Sequence, residues 1–217
     1  MLSAQQPALL GARLRVEIEE DPERRTALVV LEYQLRVDAT MTDLPILGLP
    51  FGGAVPEGLR VHVDGVAAEA ELRATAPGRL EGSIRLPPRR EELISLSLAY
   101  RVAQPSTPGA YRGTVPLLLP PAVPVGAPAN FFVATLRLPP GHSVLEAFPA
   151  LQGGAVDVAG TTGRLRLQVV PGVVRWHARI GKPPLLRFGR IIDLLALMVL
   201  AATGTIAGVV LSRQSRS

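Results

Sequence analysis

Apolar and polar residues alternate with a period of two, broken every few residues by proline or glycine, and this pattern constrains the chain more than any other feature. It recurs in LRVEIEE (14 to 20), ALVVLEYQLRV (27 to 37), LRVHV (59 to 63), VAAEAEL (66 to 72), LEGSIRL (80 to 86), LISLSLAYRV (93 to 102), FFVATLRL (131 to 138), RLRLQVV (164 to 170) and VVRWHARI (173 to 180). A strand turns successive side chains to opposite faces, so each segment predicts a strand with one dry and one wet face. In LRLQV, leucine and valine share one face while Arg166 and Gln168 share the other. Asp64-Gly65 between two apolar runs suits the positive φ angles of a type I′ hairpin. No stretch between 12 and 180 carries the 3.6-residue period of a long amphipathic helix.

Many short strands with evenly spaced turns predict a mainly β fold, an antiparallel β-sandwich over residues 1 to 180 whose sheets bury their apolar faces against each other. An immunoglobulin-like topology fits this architecture. The paired cysteines and core tryptophan of antibody domains are missing, however: the chain has no cysteine, and its one tryptophan, Trp176, falls in the last predicted strand, beside the linker. A domain of this size can bury a full core without disulfides. The proline-rich VPLLLPPAVPVGAPAN (115 to 130) reads as a long loop inside one domain, with division into two smaller modules as the alternative.

The run IIDLLALMVLAATGTIAGVVL (191 to 211) is apolar on every face and flanked by arginines. Its 21 residues would form a helix of roughly 31 Å, the thickness of a hydrocarbon core, so the sequence predicts one C-terminal transmembrane helix. Residues 181 to 190, with two prolines, form a stalk, and 212 to 217 a short basic tail. Leu200, Gly204, Gly208 and Ser212 lie on one stripe, a surface for packing against another helix. Arg187, Phe188, Arg190, Asp193, Arg213 and Arg216 fall at the membrane interface, with Asp193 in the favourable first turn of the helix.

Charge placement refines this picture. Residues 1 to 174 hold 16 of the 23 bases and 17 of the 18 acids, so the β region is nearly neutral and the basic excess flanks the apolar run. A near-neutral body with 4% aromatics lacks the basic, aromatic-studded surface of a nucleic-acid binder. More cations precede the run than follow it. The positive-inside rule therefore predicts an inner-membrane, single-pass protein with the large domain in the cytoplasm, the periplasm being the alternative.

Chemistry is sparse in the sequence. His62, His142 and His177 lie in separate segments, with no H-x-x-x-H or carboxylate-histidine cluster to hold a metal. Gly141-His142-Ser143 is not a nucleophile elbow, and no phosphate-binding glycine loop precedes a helix. Glu17, Glu19, Glu20, Asp21 and Glu23 read as a solvated rim beside Arg24 and Arg25. No catalytic, cofactor or metal residue is predicted. Two segments, MTDLPILGLPFGGAVPEG (41 to 58) and 115 to 130, carry apolar residues among prolines that pre-set the backbone. They serve either as contact surfaces or as caps folded over the ends of the domain.

The resulting expectation is a non-catalytic accessory subunit of a bacterial membrane complex, respiratory, photosynthetic or transporting. It would dock by its transmembrane helix and its β-domain on integral membrane subunits, or by the helix on a second copy, and would need no cofactor. A membrane-tethered binding module is the alternative, and an enzyme with a fold-assembled site a third reading.

Overall fold

The computed structural model describes residues 6–20, 25–51, 53–76, 78–88, 92–105, 110–126, 128, 130–149 and 162–180. All belong to one of the chain's two units, Met1–Lys182; the other, Pro183–Ser217, lies outside them. The predicted transmembrane segment 191 to 211, the stalk and the tail therefore lie outside the described residues.

The fold is mainly β. Its strands are β1 (Ala8–Glu20), β2 (Arg25–Arg36), β3 (Asp43–Gly48), β4 (Pro56–Val63), β5 (Val66–Ala68), β6 (Ala70–Ala76) and β7 (Arg79–Arg85). They continue as β8 (Leu93–Gln104), β9 (Ala110–Pro116), β10 (Val123–Pro124), β11 (Phe132–Arg137), β12 (His142–Phe148), β13 (Thr162–Leu167) and β14 (Val173–Ile180). The largest sheet has the order β13-β11-β1-β2-β8-β4-β5, with β10 also paired to β1; two three-stranded sheets run β12-β14-β9 and β3-β7-β6. Pairing is antiparallel except along one side of β1, where β10 and β11 both run parallel to it. That departs from the purely antiparallel expectation. The reason is that residues 120 to 131 return alongside β1, tied by Val123 N–H to Pro7 O (2.8 Å) and Ala12 N–H to Phe131 O (2.8 Å).

The long strands follow the alternation read from the sequence. Along β2 the side chains of Ala27, Val29, Leu31, Tyr33 and Leu35 are buried, while Glu32, Gln34 and Arg36 are exposed. Along β8 the same holds for Ile94, Leu96, Leu98, Tyr100 and Val102. Residues of all three sheets join one hydrophobic core. The predicted hairpin is present: Asp64 (φ 52°) and Gly65 (φ 81°) turn β4 into β5, and the Asp64 carboxylate accepts from Ser95 N–H at 2.7 Å. Residues 66 to 72, expected as one strand, break at Glu69 into β5 and β6, which belong to different sheets.

Four strands went unread, among them the two-residue β10 inside 115 to 130. β3 lies inside a predicted loop, where Pro45 masks a leucine and isoleucine alternation. Since Leu47 turns its backbone N–H away from β7, Pro45, two residues earlier, occupies the outer edge, where no donor is needed. β9 and β12 are short and interrupted by glycine or histidine. Gly113 of β9 faces Trp176 of β14, and a Cβ there would fall 2.0 Å from the indole ring. Trp176, 2% exposed, thus fills the space a side chain would take, as a core residue.

Candidate functional site

The two proline-rich segments singled out in the sequence meet. Leu47 at the end of β3 pairs with Leu119 in an isolated bridge, N–H to O at 2.8 Å and 2.6 Å in the two directions. Leu117 N–H donates to Gly172 O at 3.0 Å, so residues 117 to 119 are stitched between β3 and the start of β14. Ala122 N–H then turns back to Pro120 O at 2.8 Å. Between these strands lies a groove of about 560 Å³, walled by Leu47, Leu49, Leu119, Pro121, Ala122 and Val123.

The segments divide their residues between core and rim. Leu44, Ile46, Val115, Leu117 and Leu118 are fully buried and close the core, whereas Leu49 (56%), Phe51 (50%), Val123 (51%) and Val125 (47%) stay exposed. Each therefore closes the core with part of its apolar residues and leaves the rest exposed. Gly48 makes this possible: a Cβ there would meet the Leu118 side chain at 2.8 Å, so the leucine packs directly on the β3 backbone.

Two buried phenols hold the groove floor in place. Tyr33 Oη donates to Leu118 O at 2.8 Å, and Tyr100 Oη to Pro116 O at 2.6 Å, from the two central strands of the large sheet. Burial pushes both phenols well above the ordinary tyrosine range, with Tyr100 adding to the effect on Tyr33. They remain neutral donors at any physiological pH. Gln104, 7% exposed, bridges to Thr114 through both amide ends (3.0 and 2.9 Å), fixing the start of the same segment. The floor is thus positioned by the core, and only the rim is free. Arg79 at one margin pairs with Glu81 at 2.6 Å.

Of the residues predicted from sequence, Leu200, Gly204, Gly208 and Ser212, together with Arg187, Phe188, Arg190, Asp193, Arg213 and Arg216, lie outside the described residues. His62 stands on the exposed face of β4, His142 is buried on β12, and His177 is half-buried on β14. Among the described residues no three His, Asp or Glu side chains converge to hold a metal ion. Sequence reasoning missed Leu117, Gly172 and the pairing of Leu47 with Leu119. Local patterns cannot show that two loops lie side by side.

No protein-family model matches the chain, and no curated protein matches it in sequence. Some solved structures overlap with it in part. Native LTA4 hydrolase from yeast overlaps with a TM-score of 0.49 at 12% identity, over 79% of this chain and 29% of that one. An M1 zinc metallopeptidase from Deinococcus radiodurans gives 0.45 at 12%, over 81% and 42%. A putative nutrient binding protein from Legionella pneumophila gives 0.45 at 9%, over 82% and 68%. The chain spans less than a third of the hydrolase, and identities this low speak to fold alone.

Two expectations are corrected against these neighbours. The expectation of a non-catalytic accessory subunit of a membrane complex, docked by a helix, is withdrawn, and with it the expectation that the chain is no enzyme: the solved structures it overlaps include LTA4 hydrolase and M1 zinc metallopeptidases. Lack of a motif in any one segment does not exclude a site assembled by the fold. Of the single-pass membrane description the described residues support only the β-rich part: no helix among them is long and apolar enough to cross a membrane, and the predicted segment 191 to 211 lies outside them. The described residues supply no set of ligands for the zinc named in the M1 peptidase, so no step is assigned to that metal.

Proposed function

We propose that the chain is a peptide-holding β domain, receiving an extended apolar segment of polypeptide in the groove between Leu47–Gly48 and residues 119 to 123. One observation carries this reading: a groove of about 560 Å³, apolar along its walls, with a floor pinned by buried hydrogen bonds and a rim of exposed leucine and valine. That volume lies within the range of about 300–1,000 Å³ of ligand pockets. The overlap with peptidase structures carries no part of the argument.

A fixed apolar trough suits an extended peptide. Its alternate side chains can enter the trough while the backbone stays free to bond to strand edges. Because the floor is ordered before binding, little entropy is lost in forming the contact. In this reading the sheets close on one another as a β-sandwich, supported by the single shared core and the tyrosine bonds that cross it.

The test is fluorescence polarisation of a capped, extended Leu/Val/Pro heptapeptide titrated with the full chain. Saturable binding is expected, weakened about tenfold by Leu49→Asp or Val123→Asp, since a charge on the wall must be desolvated. Equal affinity for the wild type and both variants would remove the groove from the mechanism.

A further inference from the structure

Three residues past the groove, β14 enters a second and chemically different pocket. It has a volume of about 310 Å³ and is lined by Arg112, Glu146, Phe148, Arg175, Trp176 and His177. The strand register explains its composition. Arg112 of β9, His177 of β14 and Glu146 of β12 are cross-strand neighbours in one row, and Arg175 stands opposite Phe148 in a neighbouring row. Rows of this kind place adjacent side chains about 4.8 Å apart across strands, and Arg175 about 6–7 Å from His177 along β14.

The charges here are uncompensated. Neither arginine, nor His177, nor Glu146 forms an ion pair among the described residues, whereas Arg73, Arg79 and Arg137 each pair with a glutamate. Two guanidinium groups against one carboxylate leave a net positive pocket. Arg175 is also held in place, its guanidinium lying 5.0 Å from the centroid of the Phe51 ring. A pre-positioned, unpaired arginine is suited to accept a carboxylate by charge-assisted hydrogen bonds.

The two pockets are continuous along the chain that lines them. Gly172 belongs to the groove, and Leu49 packs over it, with Cδ1 3.6 Å from where a Cβ would stand. From Gly172 to Arg175 an extended strand advances about 10 Å, so three or four further residues of a bound peptide reach the arginines. Phe148 beyond them is 60% exposed, which leaves room for the peptide to continue past the pocket.

We infer that this second pocket selects an acidic side chain, Asp or Glu, placed three or four residues along the polypeptide from the apolar stretch held in the groove. The inference rests on the groove reading and names its substrate class: an apolar segment followed by an acid within a continuing chain.

The experiment titrates the full chain with three peptides of one apolar stretch. The first carries Glu four residues on and a C-terminal amide, the second has Gln in place of Glu, and the third has Gln and a free terminal carboxylate at that point. Affinity is read by polarisation. Occupancy of this pocket is read from the emission of Trp176, the chain's one tryptophan. The Glu peptide is expected to bind about tenfold tighter than the Gln peptide and to shift the emission. That gain should vanish in Arg175→Gln and in Arg112→Gln, both exposed positions, and should grow in Glu146→Gln. Equal binding of the Glu and Gln peptides, with Leu49→Asp still weakening both, overturns this inference and leaves the groove standing. A gain confined to the free carboxylate overturns selection of a side chain. If none of the three binds, both readings fall together.

Discussion

The central strands of the large sheet and the proline-rich segments beside them are built from the same residues, leucine, valine and isoleucine, yet they use them differently. In β2 from Ala27 onward and along all of β8 burial alternates without a break, and every apolar side chain on one face is buried. In 43 to 51 and 115 to 125 prolines and glycines interrupt the pattern, and apolar side chains divide between core and rim. The regular strands supply stability and two hydrogen-bonding phenols; the interrupted segments, held down by those phenols, supply an apolar surface. The lesson is that the site is a consequence of incomplete burial at the margin of a rigid core.

Substitutions should therefore separate stability from binding. The largest effect is expected at Phe132, fully buried where β11 meets β1 and β13: Phe132→Ala should cost about 3–5 kcal/mol in chemical denaturation. Gly113→Ala comes next, since the new methyl displaces the Trp176 ring. About 1–3 kcal/mol is expected, with a change in tryptophan emission.

Tyr33→Phe sharpens the link between the two regions. Losing the bond to Leu118 O leaves a buried carbonyl unpaired and should cost about 1–2 kcal/mol, with weaker peptide binding as the floor loosens. The pH dependence has a definite sign. Both phenols have folded-state pKa values raised by burial above the unfolded value of about 10. Their contribution is complete below pH of about 10 and is lost as pH rises beyond it, because the unfolded phenols ionise first. The wild type should thus lose stability more steeply in alkali than Tyr33→Phe does. The smallest stability effect belongs to Leu49→Asp, within about 0.5 kcal/mol of wild type, although it lowers affinity for the apolar peptide.

The same contrast decides what could be read in the sequence. β2, β8 and the Asp64-Gly65 hairpin were legible, because their signals lie within a dozen residues. β3 was hidden by Pro45, which an edge strand tolerates on its unpaired side. The parallel pairing of β1 with β11 joins residues more than a hundred positions apart, and no local pattern encodes it. The two proline-rich segments were recognisable one at a time as contact surfaces. Their meeting, through the Leu47 and Leu119 bridge, was not. Arg112, Glu146 and Arg175 carried no sequence signal at all, since register alone brings them together.

The groove claim is tested most directly by photo-crosslinking the full chain to an extended apolar peptide with a diazirine-bearing leucine analogue, followed by mass-spectrometric mapping. The account predicts crosslinks concentrated at residues 47 to 49 and 119 to 123, competed away by unlabelled peptide. Crosslinks spread over the outer face of the large sheet, or unaffected by competitor, would contradict it.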